Sequence, residues 1–198
     1  MEQPMIGLKS VGVSVPDRVL TNDHWRHNHP HLVSEAEGRI WMWKKPMEWT
    51  EGSEVFNREM SPYVKDPFRG ARERRYLPAE GTALALETAA ATDALEAAGL
   101  EPKDIDLLIC SSFLPDSVGV GGAVFLAREL GLVGAAWNLE SACSSALVAF
   151  QTACSLVATG QHQNVLVVAS CTYSRTTAED DPISWGSATA RRRWSSGA

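Results

Sequence analysis

Cys143 is the residue whose setting most suggests chemistry. It lies in Asn138-Leu-Glu-Ser-Ala-Cys-Ser-Ser-Ala146, between an apolar segment and the start of a helical pattern. A helix N-terminus offers free amide hydrogens and a dipole that favours negative charge, which suits a thiolate nucleophile. The amide of Cys143 would also help hold an oxyanion formed by attack on a thioester. Residue types alone leave two readings open, a nucleophile or a small buried cysteine. Cys110, Cys154 and Cys171 fall in predicted strands or a helix interior and read as core. The four cysteines show neither pairing nor metal spacing, and no export signal precedes them, so reduced thiols are expected. Arg69, Arg72, Arg74 and Arg75 form a basic cluster that suits phosphate contacts or a solvated, ion-paired face equally well. His24, His27, His29 and His31 are clustered as metal ligands often are, but Pro30 interrupts them. They read as a solvated loop with no metal. His162 sits in a polar Gly160-Gln-His-Gln turn, a poor setting for a catalytic base.

These residues need elements to hold them. Met5 to Val15 alternates loosely and stops at Pro16-Asp17, which predicts a strand and a turn. Thr21-Asn22-Asp23 predicts the start of a short helix near His24. Residues 24–78 form an irregular, tryptophan-rich excursion, expected to pack its aromatics on a core. Thr82 to Ala98 predicts a helix closed by Gly99, with Glu87 and Glu96 facing solvent. Asp104 to Ser111 predicts a buried strand, Ala135 to Leu139 a strand, and Asn164 to Ser170 the most hydrophobic strand of the chain. Gly121 to Leu130 and Ser144 to Thr159 predict helices closed by Gly131 and Gly160. Alternating strands and helices imply an α/β layer with parallel pairing. The helix after Cys143 has one stripe of Leu147, Phe150, Cys154 and Val157 and another of Ala146, Ala149 and Ala153. Apolar on two faces, it is expected to be a buried central helix.

The composition narrows the function classes. The chain has 198 residues, 44% hydrophobic and 21% charged, with a net charge of −6. That is a globular balance with room for a sizeable core. The acidic balance argues against nucleic acid as a partner. No stretch approaches the apolar length of a membrane span, and the start lacks a signal sequence, so a cytoplasmic protein is expected.

The nucleophile segment, the Ala158-Thr-Gly160 turn and Val165-Leu-Val-Val-Ala-Ser170 together resemble the nucleophile region of ketoacyl-acyl carrier protein synthase III-like enzymes of the thiolase superfamily. Gly12-Val-Ser-Val-Pro-Asp-Arg-Val-Leu-Thr-Asn22 is similar to that family's opening strand and turn. Gly70-Ala-Arg-Glu-Arg-Arg75 is similar to its arginine-rich motif, and Ala97-Ala-Gly-Leu-Glu-Pro-Lys-Asp-Ile-Asp106 to its helix-to-strand connection. The resemblance implies a thiolase-like α/β fold, N-terminal half, with a mixed sheet and a buried central helix. It makes residues 1–185 one domain and 186–198 an aberrant basic tail. It implies that Cys143 accepts the acyl group from an acyl-coenzyme A or acyl carrier protein thioester, in fatty acid or polyketide biosynthesis. Arg69 and Arg72 are then contacts for the donor's phosphates. No cofactor is permanently bound, and the family assembly is a homodimer. Transfer to a sugar or hydroxyl of a natural product, and a non-catalytic fragment or partner subunit, are the alternative readings.

Departures from the family are informative. It usually places a tryptophan shortly before its arginine motif to stack the adenine of coenzyme A, and here Tyr63-Val-Lys-Asp-Pro-Phe-Arg69 stands instead. After Pro115-Asp116, housekeeping members place a bulky residue, whereas this chain has Ser117-Val-Gly-Val-Gly-Gly122. That points toward unusual acyl groups in specialised metabolism. The family's catalytic histidine and asparagine come from a second half. With codons ending in G, a one-base shift turns residues 186–197 into a Val-Gly-Asp-Gly-Ala sequence followed by apolar residues, as the family has. A frame change near residue 186 is therefore expected, with no condensing turnover by the chain as given.

Overall fold

The computed structural model describes residues 6–39, 53–64, 66–181, 184–186 and 190–193. In chain order the elements are β1 (Val19–Thr21), α1 (Asn22–Asn28), α2 (Pro30–Arg39), α3 (Ser53–Val64), β2 (Ala71–Arg75), α4 (Ala83–Ala98), β3 (Leu107–Ser112), α5 (Ala123–Leu130), β4 (Ala135–Asn138), α6 (Ser145–Ala158), β5 (Val165–Ser170) and β6 (Ala190–Arg193). The chain divides into two units, one of Met1–Val15 with Ala79–Thr172, the other of Pro16–Pro78 with Tyr173–Ala198. Trp41, Trp43 and Trp49 of the predicted excursion lie outside the described residues.

The first unit is a three-layer α/β sandwich. Its sheet has the order β4-β3-β5, parallel throughout. β3 is a continuous apolar run because both of its faces are covered. Leu108 and Cys110 pack with Ala91 and Leu95 of α4 and with Ala123 and Leu126 of α5. Leu107 and Ile109, on the other face, meet Ala149 and Ala153 of α6. Each such leucine or isoleucine contributes about 1.5–3 kcal/mol by leaving water. Helix ends fall where the turn residues direct them. Thr82 Oγ1 accepts from Ala85 N, and Gly99 closes α4 at φ 65°. Gly131 and Gly160 close α5 and α6, again with positive φ.

Two expectations change. Residues 6–15 form no strand. They lie along α4, where the Ser10 hydroxyl donates to Ala94 O at 2.6 Å, and Lys9 Nζ donates to Asn164 Oδ1, just before β5, at 2.6 Å. Gly12 comes so close that a Cβ there would stand 2.1 Å from Ala90 O. Loose alternation does not supply an edge to pair with, and Leu8, Val11 and Val13 stay 65–70% exposed while Ser10 and Gly12 face α4. The second change concerns α6. Ala149 is buried, while Leu147 is 75% and Phe150 45% exposed. Small side chains let α6 seat closely on the sheet, and its buried residues are Ser145, Ala149 and Ala153, with Ala146 of the expected stripe exposed.

The second unit is built on an antiparallel sheet of order β1-β2-β6, so parallel and antiparallel pairing occupy separate sheets. Its core gathers Leu20, Trp25, Leu32, Val33, Phe68, Tyr76 and Trp185. Trp25 and Tyr76 meet at 5.9 Å between ring centroids, and Phe68 meets Trp185 edge-on at 5.3 Å. Trp25 Nε1 donates to Ser184 Oγ, so the indole satisfies its one donor inside the core. Within the predicted tail, Ala190–Arg193 pairs antiparallel with β2.

Candidate active site

The chain leaves β4 at Asn138 and reaches α6 seven residues later, and the turn between them is held side chain by side chain. Leu139 N still donates to Cys110 O at 2.9 Å, extending the strand pairing. Asn138 Oδ1 accepts from Ala123 N at 2.9 Å, while its Nδ2 donates to Val120 O at 2.8 Å. Gly122, at the N-cap of α5, has no side chain to satisfy the helix's first amides. Asn138 does so from across the sheet end. Gly121 must be glycine on two counts, a φ of +75° and an Asn138 side chain that would meet a Cβ at 2.4 Å.

The next turn is closed by serines. Ser145 is buried; its Oγ accepts from Ser141 N at 2.7 Å and lies 2.5 Å from Glu140 Oε1 and 2.8 Å from Ala142 O. Ser141 N also reaches Glu140 Oε1 at 3.1 Å, and the Ser144 hydroxyl donates to Ser141 O at 2.8 Å. Ala142 is held at φ +47°, in the left-handed region that a side chain disfavours. Directly after it, Cys143 sits exposed in the 3-10 turn Ala142–Ser144 that runs into α6. An exposed sulfur at the start of a 14-residue helix is geometrically open to attack on a carbonyl.

The remaining cysteines differ. Cys110 is fully buried, and burial first, with Glu87 beside it second, pushes its thiol up to about 12. Cys154 and Cys171 are half-buried. Glu87 itself overturns its reading as a solubilising residue. It is only 3% exposed, and the Ser170 hydroxyl donates to its Oε1 at 2.5 Å. Ser170 Oγ also stands 3.0 Å from Ser112 Oγ. The signal was present in the spacing, since Ala83, Glu87, Ala91 and Leu95 are the buried stripe of α4 at four-residue intervals.

The arginine cluster divides. Arg69 and Arg72 are exposed, and they belong to the other unit from Cys143. Arg72 lines a groove with Asp23, Arg26, Asp66 and Glu73. Arg74 is corrected outright. It is fully buried, its guanidinium lies 5.0 Å from the ring centroids of both Trp25 and Phe68, and its Nε donates to Trp185 O at 3.1 Å. Its Nη1 also donates to Asn22 Oδ1. Weak hydration and attraction to aromatic faces allow a guanidinium to be buried this way, and it cannot reach a phosphate in solvent. Arg75 Nη1 donates to Pro16 O at 3.1 Å. Among the histidines, His24 and His29 are half-buried and meet Glu179, whereas His27 and His31 are exposed. Among the described residues no helix is long and apolar enough to cross a membrane.

Comparison with known proteins follows the same residues. The family model for 3-oxoacyl-[acyl-carrier-protein] synthase III matches residues 137–186, from the end of β4 past β5. A β-ketoacyl-[acyl-carrier-protein] synthase III of Gloeobacter violaceus is 35% identical over 175 residues, 88% of this chain and 44% of that protein. The Brucella anthropi protein of the same name is 38% identical over 107 residues, 54% of this chain and 33% of its own length. Among solved structures, 3-oxoacyl-[acyl-carrier-protein] synthase III of Aquifex aeolicus matches with a TM-score of 0.63 and 25% identity, covering 87% of this chain and 46% of that one. The priming β-ketosynthase of the R1128 polyketide biosynthetic pathway matches with a TM-score of 0.66 and 25% identity, covering 90% and 45%. The chain spans less than half the length of each of these proteins.

Proposed function

From the premise that this chain is ketoacyl-acyl carrier protein synthase III-like and carries the N-terminal half of that thiolase-superfamily fold, we propose that Cys143 accepts an acyl group from a coenzyme A or acyl carrier protein thioester. The thiolate sulfur attacks the thioester carbonyl carbon, and the electron pair moves onto the oxygen. Collapse of the tetrahedral adduct breaks the bond to the donor's sulfur. The donor leaves as a thiolate that takes up a proton, and the acyl group remains on Cys143. The observation that carries this reading is the exposed Cys143, held behind the strained Ala142 at the head of α6. Amides of the first helical turn are the donors at hand for the oxyanion.

The onward step asks for a base near the sulfur. His162 is the histidine of the unit that holds Cys143, and it follows the far end of α6. At 1.5 Å per residue the helix is about 21 Å long. His162 is therefore out of reach, and this chain by itself forms a stoichiometric acyl-enzyme without condensing turnover. Residues 1–185 act as the acyl-accepting half, and Arg69 and Arg72, both exposed, offer phosphate contacts within their own unit. The glycine-rich stretch at 117–122, tied to Asn138 through Val120, favours acyl groups larger than the smallest starters, for fatty acid or polyketide-type synthesis.

Incubation with acyl-coenzyme A and with acyl carrier protein thioester, followed by intact mass and peptide mapping, tests this. One acyl adduct on Cys143, absent in Cys143→Ser, is expected. Acylation elsewhere, or none with either donor, refutes the nucleophile assignment. Repeated turnover that Cys143→Ser abolishes refutes the stoichiometric limit.

A further inference from the structure

His24, His29 and Glu179 come together in the second unit although Glu179 lies about 150 residues away in sequence. One donor atom from each lies within 4.8 Å of the other two, and all three residues are half-buried. His24 projects from α1, whereas His29 is its C-cap at φ −133° and ψ 51°. On a continuing helix, residues five apart would point about 140° away from each other. The break at the C-cap instead turns the His29 ring back, and the two imidazole centroids stand 6.0 Å apart.

We propose that these three side chains form a binding site for a divalent cation of the zinc class, clipping the segment around Glu179 to the end of α1. Two imidazoles and one carboxylate are a donor set that suits zinc and leaves a fourth position open for water. With metal–ligand bonds of about 2.0–2.2 Å, tetrahedral donors stand roughly 3.4 Å apart, so rotamer adjustments of the order of an ångström close the site. His24 Nε2 already faces Glu179 Oε2 at 2.9 Å.

Neighbouring groups orient the donors as outer-shell partners do. The Asn28 side chain lies 3.2 Å from His24 Nδ1; with its amide turned so that the carbonyl oxygen accepts the Nδ1 proton, Nε2 is left unprotonated toward the carboxylate. Arg18 Nη2 donates to Glu179 Oε1 at 2.7 Å, leaving Oε2 toward the histidines. The site is independent of Cys143 and of the acyl-transfer reading.

The test is Zn2+ binding by the full chain, followed by dialysis, metal analysis and thermal unfolding with and without the ion. One retained equivalent per chain and a raised Tm are expected. Both should persist in His27→Ala and His31→Ala and be lost in His29→Asn, a variant that leaves the Arg18–Glu179 pair intact. Glu179→Gln should weaken retention at least tenfold. Co2+ substitution separates this site from the thiols, since nitrogen and oxygen ligation gives visible bands without a thiolate charge-transfer band. No retention, retention unchanged in His29→Asn, or a thiolate band from the bound cobalt overturns the site. If the variants do not fold, the cobalt spectrum and stoichiometry of the unmodified chain decide.

Discussion

Ser145 Oγ lies 2.5 Å from Glu140 Oε1, and that contact spans the turn that presents Cys143. Ser145 is buried at the first position of α6, whereas Glu140 belongs to the loop leaving β4. The pair therefore fixes where the helix begins relative to the strand. Ser145→Ala should lower stability by about 1–2 kcal/mol, because Ser141 N loses one acceptor and Glu140 loses its hydroxyl partner. A urea midpoint that falls with an unchanged slope, restored by Ser145→Thr, is the expected result.

Thiol modification should follow exposure. With limiting iodoacetamide and time-resolved peptide mapping, Cys143 is expected to label first, Cys154 and Cys171 more slowly, and Cys110 last. Cys110 is inaccessible, and its thiol is pushed up to about 12, so almost no thiolate forms at neutral pH. Early labelling of Cys110 would show that the β4-β3-β5 sheet opens readily.

Asn138 links two elements and should be sensitive to its chemistry. Asn138→Ala removes both the cap on α5 and the tether to Val120, at about 1–2 kcal/mol. Asn138→Asp retains an acceptor for Ala123 N and loses only the donor, so its Tm should fall between those of the other two.

Asp106 gives the first unit an acid-sensitive contact. Its carboxylate accepts from Asn164 N at 2.9 Å and Gln163 N at 2.7 Å. These bonds, Asn164 first, hold it below the usual aspartate range. A depressed folded pKa means the contribution is complete above the unfolded value of about 3.9 and is lost as pH falls through the folded one. Asp106→Asn should therefore be less stable than the unmodified chain at neutral pH, and the two should converge in acid. A gap that is constant from pH 7 to pH 3 would sink this account.

Gly12→Ala tests the seat of the N-terminal segment. A Cβ there meets Ala90 O, Ala94 N and Asp93 Cβ, so residues 6–12 must lift from α4. The expected cost is about 1–3 kcal/mol, with faster amide exchange confined to that segment and the neighbouring turn of α4.

Much of the first unit was legible in the residues. The apolar runs at β3, β4 and β5, the glycines after α4, α5 and α6, and Cys143 at a strand-to-helix junction follow from local preferences acting within a few residues. Burial of Glu87 was also written in its four-residue spacing, though a charged side chain masks such a stripe. Other features depend on partners distant in the chain. Whether residues 6–15 pair as a strand depends on which edge they meet, and alternation carries no such information. Leu147 and Ala149 are both apolar, and only the seating of α6 on the sheet decides which one is inside. Arg74 reads as one more charge in a basic run until Trp25, Phe68 and Trp185 close around it. His24 and His29 read as part of a polar loop until the C-cap turns one ring toward the other and Glu179 arrives from the far end of the chain. Local sequence sets element type because helix, strand and turn energies are short-ranged. Which side chains share a site is set by packing between residues more than a hundred positions apart, and that exists only in the folded chain.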